Sequence, residues 1–217
     1  MRWSSTLAAF DPAKLLMNTS LRMLAVAALV MTAAAAFAAE DESLWEKLRA
    51  GGQVVLMRHA QTTPGVGDPD GFRIDDCATQ RNLSPQGREQ ARRLGEALRA
   101  RGVRIGEVLT SRWCRAAETA KLAFGRGEIW APLGSTFDDN ASRAKRVEAV
   151  RQRVAAFRGP DNLFLVGHGT NIHALTGVHP SMGGMVIVAP GGPGGFHVLG
   201  HLEPEAVLLI GSEREHR

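Results

Sequence analysis

The stretch LMRHAQT places an arginine and a histidine at the end of a short apolar run. Val54–Met57 is continuously apolar, and Arg58 and His59 follow it directly. A neutral imidazole is a competent nucleophile near neutral pH, and a guanidinium group binds oxyanions through its fork of N–H donors. The pair therefore favours chemistry on an anion, although alone it would more often begin a surface loop.

Two further motifs repeat this arrangement later in the chain. SRWCRAAETA follows the apolar run 108–110 and contains Arg115, and LVGHGTNI ends the apolar run 162–166 with His168 between two glycines. Ligands of open α/β sheets bind beyond the carboxyl ends of the strands. If the three runs are neighbouring strands, their cationic groups and the helix N-terminus near Arg115 meet in one pocket that suits a phosphate dianion.

The elements that position these residues alternate between strands and helices. Helices are predicted at residues 43–50, from Pro85 to Gly102, at 115–124 and 143–157, and as a turn at 172–175. Strands are predicted at 54–57, 108–110, 129–130, 162–166, 185–188 and 206–210, and residues 60–80 are predicted to be a long loop. This order predicts an α/β fold, a three-layer sandwich with a mostly parallel central sheet.

At these motifs the chain resembles the histidine phosphatase superfamily, the phosphoglycerate mutase-like proteins. LMRHAQT is similar to the nucleophile motif of that family, SRWCRAAETA to its second-arginine motif and LVGHGTNI to its second-histidine motif. TQRNLSPQGREQA, residues 79–91, resembles the segment between the first two motifs. The resemblance spans about residues 50–190 and implies a phosphoglycerate mutase-like fold.

The resemblance also implies a role for each matched residue. His59 would be the nucleophile that becomes phosphohistidine, and Arg58, Arg115 and His168 would hold the phosphoryl oxygens. No metal and no cofactor would be required. The activity expected is that of a histidine acid-type phosphatase acting on a small phosphorylated substrate or a phosphorylated glycolipid.

The acid that protonates the leaving group is less clearly marked. Similar periplasmic phosphatases carry an acidic residue shortly after the second-histidine helix, where this chain has Gly183-Gly184. Asp138 and Asp139 are the preferred candidates, because their segment follows a predicted strand end. Asp75 and Asp76 in the long loop are the alternatives.

Residues 1–39 are predicted to be a signal peptide and leader. Arg22 precedes the apolar run 24–31, and Ala36-Phe37-Ala38 provides small residues at the −3 and −1 positions of a cleavage site. The run is shorter than the ~20 residues of a membrane span. Export to the periplasm is therefore expected, with no integral membrane segment after processing and a single histidine phosphatase-like domain over residues 40–217.

Export also governs the interpretation of Cys77 and Cys114, which are the only cysteines in the chain. In an oxidising compartment a disulfide between them is the favoured prediction. A buried free thiol and a catalytic cysteine are the alternatives.

Composition limits the classes of partner. The 26 Lys+Arg and 22 Asp+Glu residues leave a net charge of only +4, which is scattered along the chain and does not indicate nucleic-acid binding. Export and the closeness of TQRNLS and WCR suggest the group of lipopolysaccharide-core heptose phosphate phosphatases, with an envelope sugar phosphate as substrate. The alternative is a non-catalytic phosphate-binding or sensory module that has lost its acid.

Overall fold

The computed structural model describes residues 42–137, 140–192 and 194–208. The described residues from Ser43 onward belong to one compact unit. The predicted leader, residues 1–39, lies outside the described residues. None of the described helices is both long enough and apolar enough to cross a membrane.

Six strands in the described part of the chain form one sheet in the order β3-β2-β4-β1-β5-β6. They are β1 Val54–Arg58, β2 Ile105–Thr110, β3 Glu128–Ile129, β4 Asn162–Gly167, β5 Met185–Pro190 and β6 Phe196–Leu202. The strands β1, β4, β2 and β3 run parallel to one another, whereas β5 pairs antiparallel with both β1 and β6. The three motif-bearing strands β2, β4 and β1 are therefore adjacent and parallel, which meets the condition for their motifs to share one pocket.

Helices cover both faces of the sheet. They are α1 (residues 42–50), α2 Pro85–Ala100, α3 Cys114–Phe124, α4 Asn140–Ala155, α5 Gly169–Thr176 and α6 Pro204–Leu208, with short 3₁₀ turns at Cys77–Thr79 and Ala131–Leu133. Alternate residues of a strand point to opposite faces. Accordingly Val55 and Met57 of β1 pack with α1, α2 and α3, whereas Val54 and Leu56 pack with α4 and α5. The predicted three-layer α/β sandwich is confirmed.

Local sequence signals explain where the helix before the second motif begins. Ser84 precedes α2 in extended backbone, and its side chain accepts a hydrogen bond from the N–H of Gly87. Pro85 occupies the first turn, where its missing N–H is not needed. Ala91, Leu94 and Leu98 are buried, as their helical spacing predicted.

The carboxyl-terminal part of the fold differs from the prediction. Residues 206–210 were predicted to form a strand, but Pro204–Leu208 is helical, and residues 209 and 210 lie outside the described residues. Pro204 starts this short helix, and the buried Val207 packs in the core below α2. The sixth strand is instead β6, which sequence analysis missed because its exposed edge position tolerates His197, Gly200 and His201.

The predicted disulfide is present in the described structure. Cys77 and Cys114 are bonded, with their Cα atoms 5.7 Å apart and 37 positions apart in the chain. The bond joins the end of the long loop to the first residue of α3. Gln80 adds a second link, because its side-chain oxygen accepts a hydrogen bond of 3.0 Å from the Cys114 N–H.

Reduction of this disulfide is expected to destabilise the protein. Closing a loop of 37 residues lowers the entropy of the unfolded chain and contributes about 4 kcal/mol in the chain-entropy model. Urea unfolding with and without dithiothreitol should show this difference, and the Cys77→Ser, Cys114→Ser double variant should not respond to the reductant. Identical unfolding midpoints for the oxidised and reduced wild-type protein would contradict the expectation.

Candidate active site

The carboxyl ends of β1, β2 and β4 open into a cavity of about 260 Å³. Four of the predicted site residues line it: Arg58, His59, Arg115 and His168. Arg58 is the last residue of β1 and His59 follows it. His168 lies between β4 and α5, and Arg115 lies in the first turn of α3 after β2. The parallel order of the three strands therefore brings the three sequence motifs together.

His59 is held with one ring nitrogen turned towards the backbone. Its side chain is buried, and Nδ1 lies 2.8 Å from the carbonyl oxygen of Ala60. Nδ1 therefore carries the proton, because a carbonyl oxygen can only accept. The backbone of His59 is fixed on both sides. Its N–H donates a hydrogen bond to the carbonyl oxygen of Gly167, and its carbonyl oxygen accepts one from the N–H of Gly183. Nε2 keeps its lone pair for the cavity.

His168 is buried beside His59 and held from another direction. Its Nε2 lies 2.9 Å from the hydroxyl oxygen of Ser111, a buried residue that follows β2. The rings of His168 and His59 have centroids 5.5 Å apart in an edge-on arrangement, and the Trp113 ring lies at the same distance on another side. These contacts fix the imidazole of His168 against the wall of the cavity.

Three arginines line the cavity with unused hydrogen-bonding capacity. Arg58 donates from Nη1 to the carbonyl oxygen of Pro180, and Arg115 donates from Nη1 to Asp68. The Nε atoms of Arg58, Arg115 and Arg81 are nevertheless buried with no hydrogen-bond partner. A buried donor without a partner destabilises a structure, so these groups indicate a site for an oxyanion.

Burial and neighbouring charge set the protonation states. Burial, with the positive charges of Arg115 and Arg58, lowers the pKa of His59 to about 3 despite its hydrogen bond to Ala60. Burial and the proximity of His59 and Arg115 lower the pKa of His168 as well. Both imidazoles are therefore neutral at physiological pH, and His59 is in the form that can act as a nucleophile.

The charge of the cavity matches a phosphate dianion. Burial and the charge of Arg81 lower the pKa of Arg58, yet guanidinium groups remain protonated in proteins. With both buried histidines neutral and His179 not counted, three guanidinium groups oppose one carboxylate, that of Asp68, among the described residues that line the cavity. The described lining therefore has an excess of two positive charges.

Two functional candidates were missed from the sequence. Arg81 lies inside the quoted TQRNLS stretch, and Asp68 lies in the glycine-rich part of the long loop. Both line the cavity. The TQRNLS motif could have identified Arg81 as a site residue from the sequence. Asp68 is recognisable only in the folded structure, where its loop lies against the start of α3.

The two alternative acids, Asp75 and Asp76, lie outside the cavity, and the two preferred ones are not among the described residues. Asp76 caps the 3₁₀ turn at Cys77–Thr79 and pairs with Arg73, and Asp75 is exposed. Neither lines the cavity. Asp138 and Asp139 lie outside the described residues, next to Phe137, which does line the cavity.

Sequence and structure comparisons bear on the class of protein. Residues 54–133 match the model of the histidine phosphatase superfamily (branch 1), so this part of the chain is similar in sequence to that family. The matched segment contains Arg58, His59 and Arg115, whereas His168 lies beyond it. No curated protein matches the chain.

Solved structures resemble this fold at low sequence identity. The open reading frame Rv3214 product of Mycobacterium tuberculosis is 16% identical, with a TM-score of 0.53 over 67% of this chain and 94% of that one. Mycobacterial glucosyl-3-phosphoglycerate phosphatase is 18% identical, with a TM-score of 0.50 over 68% and 97%. The protein histidine phosphatase SixA, solved with tungstate, is 19% identical, with a TM-score of 0.49 over 70% and 97%.

The buried histidines are expected to remain neutral in mildly acidic solution. Their folded-state pKa values lie below the unfolded value of about 6.5, so the unfolded chain binds more protons as the pH falls through that value. Stability should therefore decrease with falling pH from about 6.5, by up to roughly 1.4 kcal/mol per pH unit for each histidine.

Ring ¹⁵N chemical shifts measured from pH 7 to pH 4.5 test this directly. His59 and His168 should keep the shifts of neutral imidazole over this range, with the Nδ1 proton on His59. Protonation of His59 or His168 near pH 6 would contradict the assigned states.

Proposed function

We propose that the protein is an exported phosphomonoesterase that acts through a phosphohistidine intermediate on His59. The observation that supports this most directly is the free Nε2 of a neutral, buried His59 in a cavity whose described lining has an excess of two positive charges. The family match supports hydrolase chemistry on phosphate compounds. Classification as a histidine acid-type phosphatase is part of the proposal.

The reaction proceeds in two steps. The Nε2 lone pair of His59 forms a bond to phosphorus while the ester P–O bond breaks and the leaving oxygen takes a proton from an acid. Water then attacks phosphorus, the N–P bond breaks, and a proton from that water restores the acid. Arg58, Arg81 and Arg115 neutralise charge on the phosphoryl oxygens, and His168 holds one of them.

Gly169 allows the cationic groups to approach closely. A Cβ atom at this position would lie 3.2 Å from Nε of Arg58, so a larger residue would crowd the guanidinium. The same glycine begins α5, whose N-terminal N–H groups face the cavity end of β4 and favour negative charge.

The acid is proposed to be Asp138 or Asp139. Both follow the cavity-lining Phe137, and the segment before them is anchored, because Asn171 of α5 binds both the backbone N–H and the hydroxyl of Thr136. This anchoring keeps the start of the segment at the cavity mouth.

The proposed substrate is an envelope sugar phosphate or phosphorylated glycolipid in the periplasm. The apolar run before residue 39 and the disulfide between Cys77 and Cys114 support export, because disulfides persist in oxidising compartments. The similarity of TQRNLS and WCR to heptose phosphate phosphatases supports the substrate class. At the mouth, Phe137 offers a half-exposed ring to the organic part of the ester.

A second candidate function is phosphate binding without turnover. The observation that favours it is Gly183-Gly184, where similar phosphatases carry a carboxylate.

Replacement of His59 separates the two candidates. His59→Ala is expected to lower phosphate release from p-nitrophenyl phosphate by roughly 10³-fold or more, because the phosphoenzyme cannot form. It should still bind inorganic phosphate, since the three arginines remain. The substrate has a good leaving group, so the assay does not depend on the acid.

His201→Ala is the matched control, because His201 is exposed on the edge strand β6. It should retain the wild-type rate. Near-normal activity of His59→Ala would refute the phosphohistidine mechanism, whereas a wild-type protein that binds phosphate without releasing it from the ester would favour the second candidate.

A further inference from the structure

Asp68 is a buried carboxylate in direct contact with a phosphate-binding arginine. Its side chain is 5% exposed, and Oδ1 accepts hydrogen bonds from Nη1 of Arg115 at 2.7 Å and from the backbone N–H of Arg81 at 3.0 Å. Oδ2 accepts from Nε1 of Trp113 at 3.1 Å. Arg115 and Arg81 line the cavity, and Trp113 packs against His168, which also lines it.

The surrounding covalent and hydrogen-bonded links prevent the carboxylate from moving away. Trp113 immediately precedes Cys114, which is bonded to Cys77. Gln80, the neighbour of Arg81, accepts a hydrogen bond from the Cys114 N–H. The donors that hold Asp68 thus belong to segments that are tied to one another, and the negative charge stays beside Arg115.

A bound phosphate must therefore share Arg115 with a fixed negative charge. We propose that Asp68 is a positioning residue that holds Arg115 in place and at the same time weakens the binding of phosphate, so that the product can leave. This inference rests on the proposed phosphatase function. Without the carboxylate, three arginines and two neutral histidines would face the product dianion, and product release would become slower.

The expected size of the effect follows from the spacing of the charges. A phosphate bound on the other side of the Arg115 guanidinium would lie roughly 6 Å from Asp68. At effective dielectric constants of about 80 to 40, as in an open and solvated cavity, repulsion of a dianion at that distance changes affinity by about tenfold to a hundredfold.

A role for Asp68 as the proton donor is less consistent with its contacts. Both of its oxygens accept hydrogen bonds from N–H donors, and one of these donors is a guanidinium, which favours the ionised carboxylate. An ionised carboxylate has no proton to give to the leaving oxygen. The two roles predict different kinetics.

The test compares Asp68→Asn with Asp70→Asn. Both variants remove one negative charge from the same loop, but Asp70 is exposed and does not line the cavity. Titration calorimetry with inorganic phosphate should show binding to Asp68→Asn about tenfold or more tighter than to wild type, and unchanged binding to Asp70→Asn. With p-nitrophenyl phosphate, Asp68→Asn should have a lower KM and a lower kcat.

Two other results would overturn the proposed role of Asp68. Phosphate binding to Asp68→Asn that is unchanged or weaker would overturn the proposal, because a residue needed only to hold Arg115 would weaken affinity when replaced. A rate loss confined to alkyl phosphates, with aryl phosphates unaffected, would make Asp68 the proton donor and would also overturn it. If Asp68→Asn does not fold, Asp68→Ala is measured with the same expectations.

Failure of the underlying function gives a different result. A wild-type protein that does not bind inorganic phosphate at all would refute the phosphate site itself. Wild-type binding without the tightening in the Asp68 variant would refute only the role of Asp68.

Discussion

The structure around the cavity depends on the burial of positive charge. Arg115 is 4% exposed, and Arg58 and Arg81 lie close enough to each other for the charge of Arg81 to lower the pKa of Arg58. Buried charge is strongly unfavourable without a partner. Asp68 compensates one of the three guanidinium groups. The remaining charge is left for a ligand. Burial, together with this charge, keeps the neighbouring histidines neutral.

The rest of the fold holds the arginines, the histidines and Asp68 of the cavity in fixed positions relative to one another. The adjacent parallel strands β2, β4 and β1 deliver one motif each to the same edge of the sheet. Backbone hydrogen bonds from His59 to Gly167 and Gly183 fix this proposed nucleophile between β4 and the segment before β5. The disulfide and Gln80 hold the long loop, and with it Asp68, against the start of α3.

Much of the sheet and of the cationic part of the site could be predicted from the sequence. Val54–Met57 and residues 163–166 are continuously apolar because both strands are central and buried on both faces. The same logic fails at the sheet edge. β6 is half exposed and contains two histidines and a glycine, so it lacks the apolar signal, whereas the apolar residues of α6 resemble a strand.

Asp68 shows a second limit of sequence analysis. It lies in the stretch PGVGDPDG, where nothing distinguishes it from Asp70. Their environments differ only because the folded loop turns Asp68 towards Arg115 and Trp113 and leaves Asp70 exposed. The role of Asp68 depends on tertiary contacts between residues about 45 positions apart, and a local sequence pattern does not predict such contacts.

The central claim, transfer of the phosphoryl group to His59, can be observed directly. Wild-type protein mixed rapidly with p-nitrophenyl phosphate is quenched in alkali, which preserves phosphohistidine, and its peptides are analysed by mass spectrometry. The segment 59–73 contains His59 and no other histidine. Our account predicts a phosphoryl group on this segment that forms and decays during turnover. Turnover with no modification of His59, or with the phosphoryl group on another residue, would contradict it.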